Sequence, residues 1–367
     1  QLAVQITVPG DPVAQQRLTF SGQILPREST TDGFEYRVAT PQGSSNGVRL
    51  GISTLPLIAG TEPNETPDKA QPITLPCEVY GQFQNPKDVD WYSFAAKANE
   101  IWVFEVISQR SGFPCDPTLL LRRASDGAAI GEQDDDETSP IGLRFVTRSD
   151  DPILTTPALA EGQYQISVRD QYGAGRGNPR FVYRLRARRS QPDFRLIVMH
   201  NIPAIPAAAQ PPDSLLVRQG GNQHLDVHAI RRDGFKGEIT VQVEGLPQGV
   251  TCPAVTIGPD LPYVPLVFSA ADNAPATVGT VTVKGTATIA GQQVVREARP
   301  GVITWGFDPN QAIKAQSRLA RSVPIAVREG APYRILATPE KATISRGLPL
   351  KVKLQITRRG DFKDQVA

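Results

Sequence analysis

The sequence lacks the features that mark several large classes of protein. It has one Met, three His and three Cys among 367 residues, and no long apolar run. A membrane-spanning helix needs at least roughly 18 consecutive apolar residues. The start of the chain has no basic segment followed by an apolar one, as a signal peptide would have. No stretch shows convincing helical periodicity. A membrane-spanning helix within these residues is therefore excluded, and a helical fold has no support.

Catalytic signatures are also missing. The sequence contains no G-x-S-x-G nucleophile elbow, no H-E-x-x-H zinc motif and no phosphate-binding G-x-x-x-x-G-K. A glycosidase needs only two carboxylates, so scattered acids leave that reaction class open. The formal net charge of +2, from 39 basic and 37 acidic residues, gives no electrostatic reason to bind nucleic acid or an anionic membrane. We predict a protein that is not an enzyme and has no nucleic-acid partner.

Turn-forming residues are abundant, with 33 Pro and 31 Gly. Together with many Val and Thr, they favour short strands joined by turns. Apolar and polar residues alternate over 163–169 and again over 181–188, so each segment has one buried face. The other strand candidates of this region are ITLPCEVYGQF, DWYSFAA, IWVFEVISQ, PTLLLRRA and GLRFVTRS. The predicted fold is all-β, with tandem β-sandwich domains, some of them Ig-like, and no substantial helix.

The pattern divides the chain into five parts. They are a partial Ig-like domain over 1–57, a two-sheet β-sandwich over 58–189, a Pro-rich linker over 190–212, an Ig-like sandwich over 213–330 and the start of a further Ig-like domain over 331–367. An internal repeat supports the last part, because RQGGNQHLDVHAIRRDGFKGEI aligns without gaps with SRGLPLKVKLQITRRGDFKDQV. Since the second copy ends after two predicted strands and Gln1 is not an initiator Met, we expect the chain to be part of a longer protein.

Two acid-rich loops flank one candidate strand, Ile73–Phe83. EPNETP (62–67) precedes it and KDVDWYSF (87–94) follows it. A surface that only kept the protein soluble would mix charges of both signs. Calcium takes six to eight hard oxygen ligands in flexible geometry, which two loops at one edge of a sandwich could supply. The alternative is that both are solvated turns in which Asn64 and Asp88 cap the local backbone.

Two further groups offer ligands for a metal ion. The acid-rich stretch Gly131–Pro140 is either a metal site or the solvated tip of a hairpin. His224, Asp226 and His228 share one face of a predicted strand, as metal ligands can. The second copy of the repeat has Lys, Lys and Gln at these three positions. A polar outer face explains both copies, so it is the favoured interpretation.

Other polar and aromatic residues also allow two interpretations. The arginines that alternate along Tyr183–Ser190 either pair with acids on an outer sheet face or bind an acidic glycan. Trp91 and Trp102 are favoured as core residues over a sugar-binding platform. Cys77 and Cys115 are the one pair considered for a disulfide, and the alternative is that all three Cys are buried thiols.

Residues 62–189 resemble the bacterial pre-peptidase C-terminal domain family in four stretches. They are EPNETPDKAQPITLP, GQFQNPKDVDWYSFAAKANEIWVFEV, DPTLLLRRASDGAAIGEQDDD and EGQYQISVRDQYG. The resemblance implies a jelly-roll β-sandwich without catalysis of its own, in a secreted or surface-attached bacterial protein. It also implies a Ca²⁺ site formed by Glu62, Asn64 and Glu65 of the first loop with Asp88 and Asp90 of the second. Position 65 more often carries Asp in that family.

The flanking segments resemble domains that accompany such modules. DGFEYRVATPQGSSNGVRLGIS resembles the end of an IPT-type Ig-like domain, and RRDGFKGEITVQVEGLPQGVTCPAVTI resembles Ig-like repeats of large secreted bacterial proteins. These resemblances imply a structural or adhesive role in a secreted or cell-surface protein, with the periplasm as an alternative location. The expected partners are other copies or further β domains of the same surface assembly, or an extracellular glycan or protein. The alternative function is a substrate-binding accessory region of a secreted hydrolase whose catalytic domain lies outside this chain.

Overall fold

The computed structural model describes residues 53–365 apart from residues 139, 143, 144, 146, 179, 201–213, 306–315, 321, 342 and 344–346. In the first 52 residues it describes residues 2–7, 15–20, 33–37, 39, 40, 43, 44 and 48–51. The described chain consists of short strands and two 3₁₀ helices, Pro67–Lys69 and Gln109–Ser111. The predicted all-β fold of tandem sandwiches is confirmed. No helix in the described parts of the chain is long and apolar enough to cross a membrane.

The chain divides into two units, residues 1–56 and residues 57–367. The described strands of the first unit form antiparallel pairs. These are β1 (Leu2–Thr7) with β2 (Gln15–Phe20), β3 (Gly33–Tyr36) with β6 (Val48–Gly51), and β4 (Ala39–Thr40) with β5 (Gly43–Ser44). Much of the partial Ig-like domain predicted over 1–57 lies outside the described residues.

The first sandwich, residues 57–189, consists of two five-stranded sheets. Its strands are β7 (Leu57–Ala59), β8 (Gln71–Pro72), β9 (Cys77–Gln82), β10 (Val89–Ala96), β11 (Trp102–Ile107), β12 (Pro117–Arg123), β13 (Ala129–Gln133), β14 (Ile153–Thr155), β15 (Gly162–Asp170) and β16 (Val182–Arg189). The sheet orders are β13-β12-β15-β10-β8 and β14-β11-β16-β9-β7. The predicted alternation is confirmed, because Tyr164, Ile166 and Val168 on β15 and Tyr183 and Leu185 on β16 are buried.

Aromatic rings fill much of the core of the first sandwich. The ring centroid of Phe94 on β10 lies 5.3 Å from that of Phe104 on β11 and 5.8 Å from that of Tyr164 on β15. The contact of Phe94 with Phe104 joins the two sheets, whereas Phe94 and Tyr164 are neighbours within one sheet. The strand predicted for GLRFVTRS is wrong over its described residues, and residues 143, 144 and 146 lie outside the description. Phe145 from this stretch is buried against the next sandwich.

The second sandwich, residues 193–328, also has two sheets around one core. Its strands are β17 (Asp193–Met199), β18 (Leu215–Arg218), β19 (Asn222–Arg232), β20 (Ile239–Glu244), β21 (Val250–Thr251), β22 (Val255–Ile257), β23 (Tyr263–Ala270), β24 (Thr277–Ile289), β25 (Gln292–Glu297), β26 (Arg299–Trp305), β27 (Gln316–Leu319) and β28 (Val323–Arg328). One sheet has the order β21-β23-β19-β17-β26-β27, and the other has the order β18-β28-β24-β20-β22 with β25 beside β24.

The linker predicted over 190–212 is wrong over Asp193–Met199, which is a central strand of the second sandwich. β17 pairs along its whole length with β19. Phe194, Leu196 and Val198 enter the core, while Ile197 and Met199 are buried on the opposite face. A strand buried on both faces loses part of its alternation. The Pro-rich residues that follow this strand also favour a linker over a strand in the sequence. Residues 201–213 of the predicted linker lie outside the description.

The last described strands are β29 (Tyr333–Pro339) and β30 (Val352–Arg358), which pair antiparallel. Val352, Leu354 and Ile356 are exposed on β30. The aligned residues of β19 in the first copy of the repeat are Leu225, Val227 and Ala229, which lie in the core of the second sandwich.

Candidate metal centre

Three carboxylates from the two acid-rich loops meet beside the start of β10. One oxygen from each of Glu62, Asp88 and Asp90 lies within 4.8 Å of the other two. Glu62 is exposed, Asp88 is partly buried and Asp90 is buried. Among the described residues, this group alone places three acidic, His or Cys side chains close enough to share a metal ion.

Backbone pairing with β10 holds both loops in place. The first loop leads into β8, which runs parallel to β10, and Trp91 N donates to Asn64 O at 2.9 Å. The second loop is the turn between β9 and β10, in which Gln84 N donates to Asp88 Oδ2 at 2.6 Å. Asp90 is part of β10 itself. β10 therefore fixes the positions of all the candidate ligand residues.

Asn64 is buried between two of the carboxylates. Its backbone N donates to Glu62 Oε2 at 3.0 Å. With the amide nitrogen turned inward, the side chain donates to Asp90 Oδ1 and Glu62 Oε2, both at 2.9 Å. With the amide oxygen turned inward, an oxygen would face two carboxylate oxygens, and a cation among them would make that arrangement favourable. One half-turn of the amide thus converts Asn64 from a hydrogen-bond donor into a metal ligand.

The surroundings raise the pKa of two of the carboxyls. Burial is the main cause for Asp90, whose pKa rises from 3.8 to about 8, and the charges of Asp88 and Glu62 contribute. Burial also raises the pKa of Glu62, with a further contribution from Asp88. Each carboxylate disfavours ionisation of its neighbours, so a cation bound among them would favour the ionised forms.

Two buried tyrosines contact Asp90 from the core side. Tyr183 donates to Asp90 Oδ2, and the hydroxyls of Tyr183 and Tyr92 lie 2.7 Å apart in a second hydrogen bond. Burial raises the pKa of both tyrosines above the ordinary range, so both remain neutral donors. The Tyr183 ring stacks on Phe83, and a Cβ at Gly81 would overlap the Tyr183 ring. Sequence reasoning missed this pair, because only the strand pairing places Gly81 opposite Tyr183.

Glu65 lies outside the cluster. It is exposed, and its carboxylate is not among the three that approach one another. Its negative charge still contributes to the raised pKa of Glu62. The structure therefore brings together Glu62, Asn64, Asp88 and Asp90 of the proposed ligand residues and leaves Glu65 at the rim.

The other candidate metal groups do not converge in the described structure. At the acid-rich tip, Asp136 bridges to Ser149 through backbone hydrogen bonds of 2.8 and 3.1 Å, and Glu137 pairs with Arg148 at 3.1 Å. These contacts favour the hairpin interpretation, with residue 139 outside the description. On β19, His224 is exposed, whereas the ring of His228 lies 5.0 Å from that of Tyr263.

The arginines of β16 pair with acids, as one of the two interpretations predicted. Arg184 Nε lies 2.5 Å from Glu78 Oε1, and Arg186 Nε lies 3.2 Å from Glu78 Oε2. Arg186 also reaches Glu105 at 3.5 Å, and Arg188 pairs with Asp233 of the second sandwich. The outer face of this sheet is therefore an ion-pair network.

The large aromatic and thiol side chains belong to the core. Trp91 and Trp102 are buried, with guanidinium groups over their rings at 4.5 and 5.0 Å. Cys77 and Cys115 are buried free thiols, and Cys252 is a partly buried one. Burial raises the pKa of each of the three to about 11, so each thiol is almost entirely protonated at neutral pH.

A likeness to known proteins is found among solved structures. No family model and no curated protein match the chain. Among solved structures, the chain is similar to the pre-peptidase C-terminal domain of a collagenase from Bacillus anthracis. The sequence identity is 18%, the match covers 35% of this chain and 99% of that chain, and the TM-score is 0.25.

Proposed function

We propose that this chain is a non-catalytic part of a secreted or cell-surface bacterial protein, and that its role is structural or adhesive. Its sandwiches would space and present binding surfaces outside the cytoplasm. In the first sandwich, Glu62, Asn64, Asp88 and Asp90 would bind Ca²⁺. The ion would tie the entrance loop of the sandwich to β10.

The observation that carries the calcium proposal is the convergence of the three carboxylates within 4.8 Å, with the buried Asn64 amide between two of them. All the available ligand atoms are hard oxygens, which suit calcium and not zinc or copper. The set contains no thiolate or imidazole ligand. Because Glu62 is exposed, water can complete the coordination shell on the open side.

A structural role for the ion follows from where its ligands lie. Asp88 and Asp90 belong to the turn and strand that follow β9, whereas Glu62 and Asn64 belong to the loop that precedes β8. An ion that holds all four residues connects segments that unfolding would separate. Binding to the folded state alone stabilises it, by about 2.7 kcal/mol when the free ion concentration is 100 times Kd.

The non-catalytic role is supported by the state of the other buried acids. Glu78 and Glu105 lie in salt bridges with β16 arginines, and Asp170 pairs with Arg176 at 2.7 Å. Asp151 accepts hydrogen bonds from three backbone N–H groups. Compensation of these charges inside the fold supports a structural role for the acids.

The test is thermal unfolding of the full chain in EGTA and then with added Ca²⁺ or Mg²⁺. We expect calcium to raise the midpoint of the transition assigned to the first sandwich. Glu62→Gln and Asp88→Asn should remove most of this increase. Glu65→Gln is the matched control, since it removes a carboxylate from the same loop but outside the cluster, and it should keep the response. An unchanged midpoint with calcium, or equal responses of Glu62→Gln and Glu65→Gln, would rule out the site.

A further inference from the structure

The two copies of the internal repeat share one hairpin geometry. In the first copy, Phe194 on β17 lies opposite Arg231 on β19, and in the second copy Tyr333 on β29 lies opposite Arg358 on β30. Arg231 and Arg358 are aligned residues of the repeat. The register of the strand pair is therefore the same in both copies, and the repeat begins upstream of the segment that the sequence alignment found.

The turn after the second strand begins in the same way in both copies. The residue after its Arg has left-handed backbone geometry, with φ of 51° at Asp233 and 55° at Gly360, and in the first copy Gly234 is left-handed as well, with φ of 75°. The Phe that follows the turn stacks on the first strand, with ring centroids 5.6 Å apart for Phe235 and Phe194 in the first copy. In the second copy the corresponding rings, of Phe362 and Tyr333, lie 5.5 Å apart. We call residues 232–234 and 359–361 the repeat turns.

The first repeat turn contacts the first sandwich. Both Nη atoms of Arg188 donate to the Asp233 carboxylate, one of them at 3.2 Å, and Gln191 N donates to the same carboxylate at 2.8 Å. Arg188 is on β16, the last strand of the first sandwich. The Asp233 side chain is only 8% exposed, so this ion pair is shielded from water.

The second repeat turn contacts the second sandwich. Arg359 donates to Asp272 Oδ1 at 2.6 Å and to the backbone oxygen of Gln219 at 3.3 Å. Arg334 on β29 also lies 3.6 Å from Asp272. Gly330, in the segment that connects β28 to β29, lies against the Arg359 guanidinium, and a Cβ at Gly330 would overlap this guanidinium.

We infer that the repeat turn is the docking element by which each Ig-like repeat attaches to the module before it. The same turn makes the contact at both junctions, but the charges are exchanged. A carboxylate of the turn binds an arginine at the first junction, and an arginine of the turn binds a carboxylate at the second. Short connections enforce the contact, since β16 ends at residue 189 and β17 starts at 193, while β28 ends at 328 and β29 starts at 333. The inference goes beyond the proposed function and does not depend on calcium.

The two junctions differ in how much apolar contact supports the ion pair. At the first, the buried Phe145 packs with Ile197, Met199 and Ile303 of the second sandwich. At the second, the contacts of the turn are ionic and polar, and the Asp272 side chain is 64% exposed. Exposed ion pairs are screened by salt, whereas buried apolar contacts are not. The second junction is therefore the salt-sensitive one.

The test measures distances between spin labels across each junction in the full chain with Cys252→Ser. Labels at Glu161→Cys and Gln292→Cys report on the first junction, and labels at Gln292→Cys and Lys351→Cys report on the second. Domains without a large apolar interface move relative to one another, so loss of docking should broaden the distance distribution at least about twofold. We expect this for Arg359→Gln at the second junction, and a smaller broadening for Asp233→Gly at the first, where the apolar contacts of Phe145 remain.

The substitutions have matched controls. Asp233→Gly gives the first turn the residue that the second turn has at that position, so the left-handed backbone is retained. Glu238→Gln removes an exposed charge from the same module, and Arg358→Gln removes the arginine next to Arg359. Both controls should keep the narrow distributions.

Two further measurements separate docking from a general effect of charge. High salt should broaden the distance distribution across the second junction more than that across the first. Combining Arg188→Asp with Asp233→Arg should restore a narrow distribution across the first junction. Equal distributions for Arg359→Gln and Arg358→Gln, or for Asp233→Gly and Glu238→Gln, would overturn the inference.

Discussion

In calcium-free solution, the stability of the first sandwich should fall as the pH rises from about 5 to 8, and Asp90 should be the cause. The folded state raises the pKa of Asp90 from 3.8 to about 8, mainly by burial and further by the charges of Asp88 and Glu62. The neutral hydroxyl of Tyr183 donates to it and partly offsets the rise. Asp90 thus keeps its proton in the folded protein at pH values where it has lost it in the unfolded chain.

The sign and size of the effect follow from this difference. Between the two pKa values the folded state binds more protons, so the free energy of unfolding decreases with rising pH. Below the unfolded pKa both states are protonated, and above about 8 both are ionised, so the slope disappears outside this window. Inside this pH window, one such group lowers the free energy of unfolding by at most about 1.4 kcal/mol per pH unit. From pH 5 to 7 the expected loss is therefore on the order of 2 kcal/mol.

The assay is urea unfolding at a series of pH values in buffer stripped of calcium, with the wild-type chain and Asp90→Asn. The variant removes the ionisation, so its stability should be nearly flat over the range in which the wild type declines. Asp260→Asn, which changes an exposed acid of the second sandwich, should keep the wild-type slope. Saturating calcium should flatten the wild-type curve, because the ion displaces the proton. Identical slopes for the wild type and Asp90→Asn in calcium-free buffer would refute the argument.

Two further predictions concern the support of the first sandwich. Gly81→Ala places a Cβ into the Tyr183 ring and should destabilise the fold by about 1–3 kcal/mol, with weaker calcium binding measured by isothermal titration calorimetry. Unchanged stability of Gly81→Ala would mean that the Tyr183 ring can move aside without loss of stability. Asp151→Ala removes the acceptor of three backbone N–H groups of residues 108–110, of which that of Ser108 is buried. It should cost about 2–4 kcal/mol in urea unfolding, against little change for the exposed neighbour in Asp150→Ala.

The strands of the first sandwich were predictable where one face is buried and the other faces water or an ion pair. The alternation over 163–169 and 181–188 marks β15 and β16 for this reason. β17 alternates polar and apolar residues only over 193–196, because Ile197 and Met199 continue the face of Asp193 and Arg195 as buried apolar side chains. An alternation of four residues beside a Pro-rich segment is too short a signal to predict a strand.

The candidate site was predictable in its ligand types but not in its supporting contacts. Two loops rich in carboxylates point to a hard cation whatever their exact fold. Tyr183 reaches Asp90 only because β16 lies opposite β9 and Gly81 leaves room for its ring. Strand pairing between segments so far apart in the chain leaves no local mark in the sequence.

Tandem β-sandwiches can be inferred from the order of apolar and polar side chains, because alternation is a property of neighbouring residues. The internal repeat and the two acid-rich loops can likewise be found in the sequence. Which acids meet, and where one module ends and the next begins, can be seen only in the folded chain. Convergence of charges and docking of turns depend on contacts between distant strands, and these contacts form only after those strands have paired.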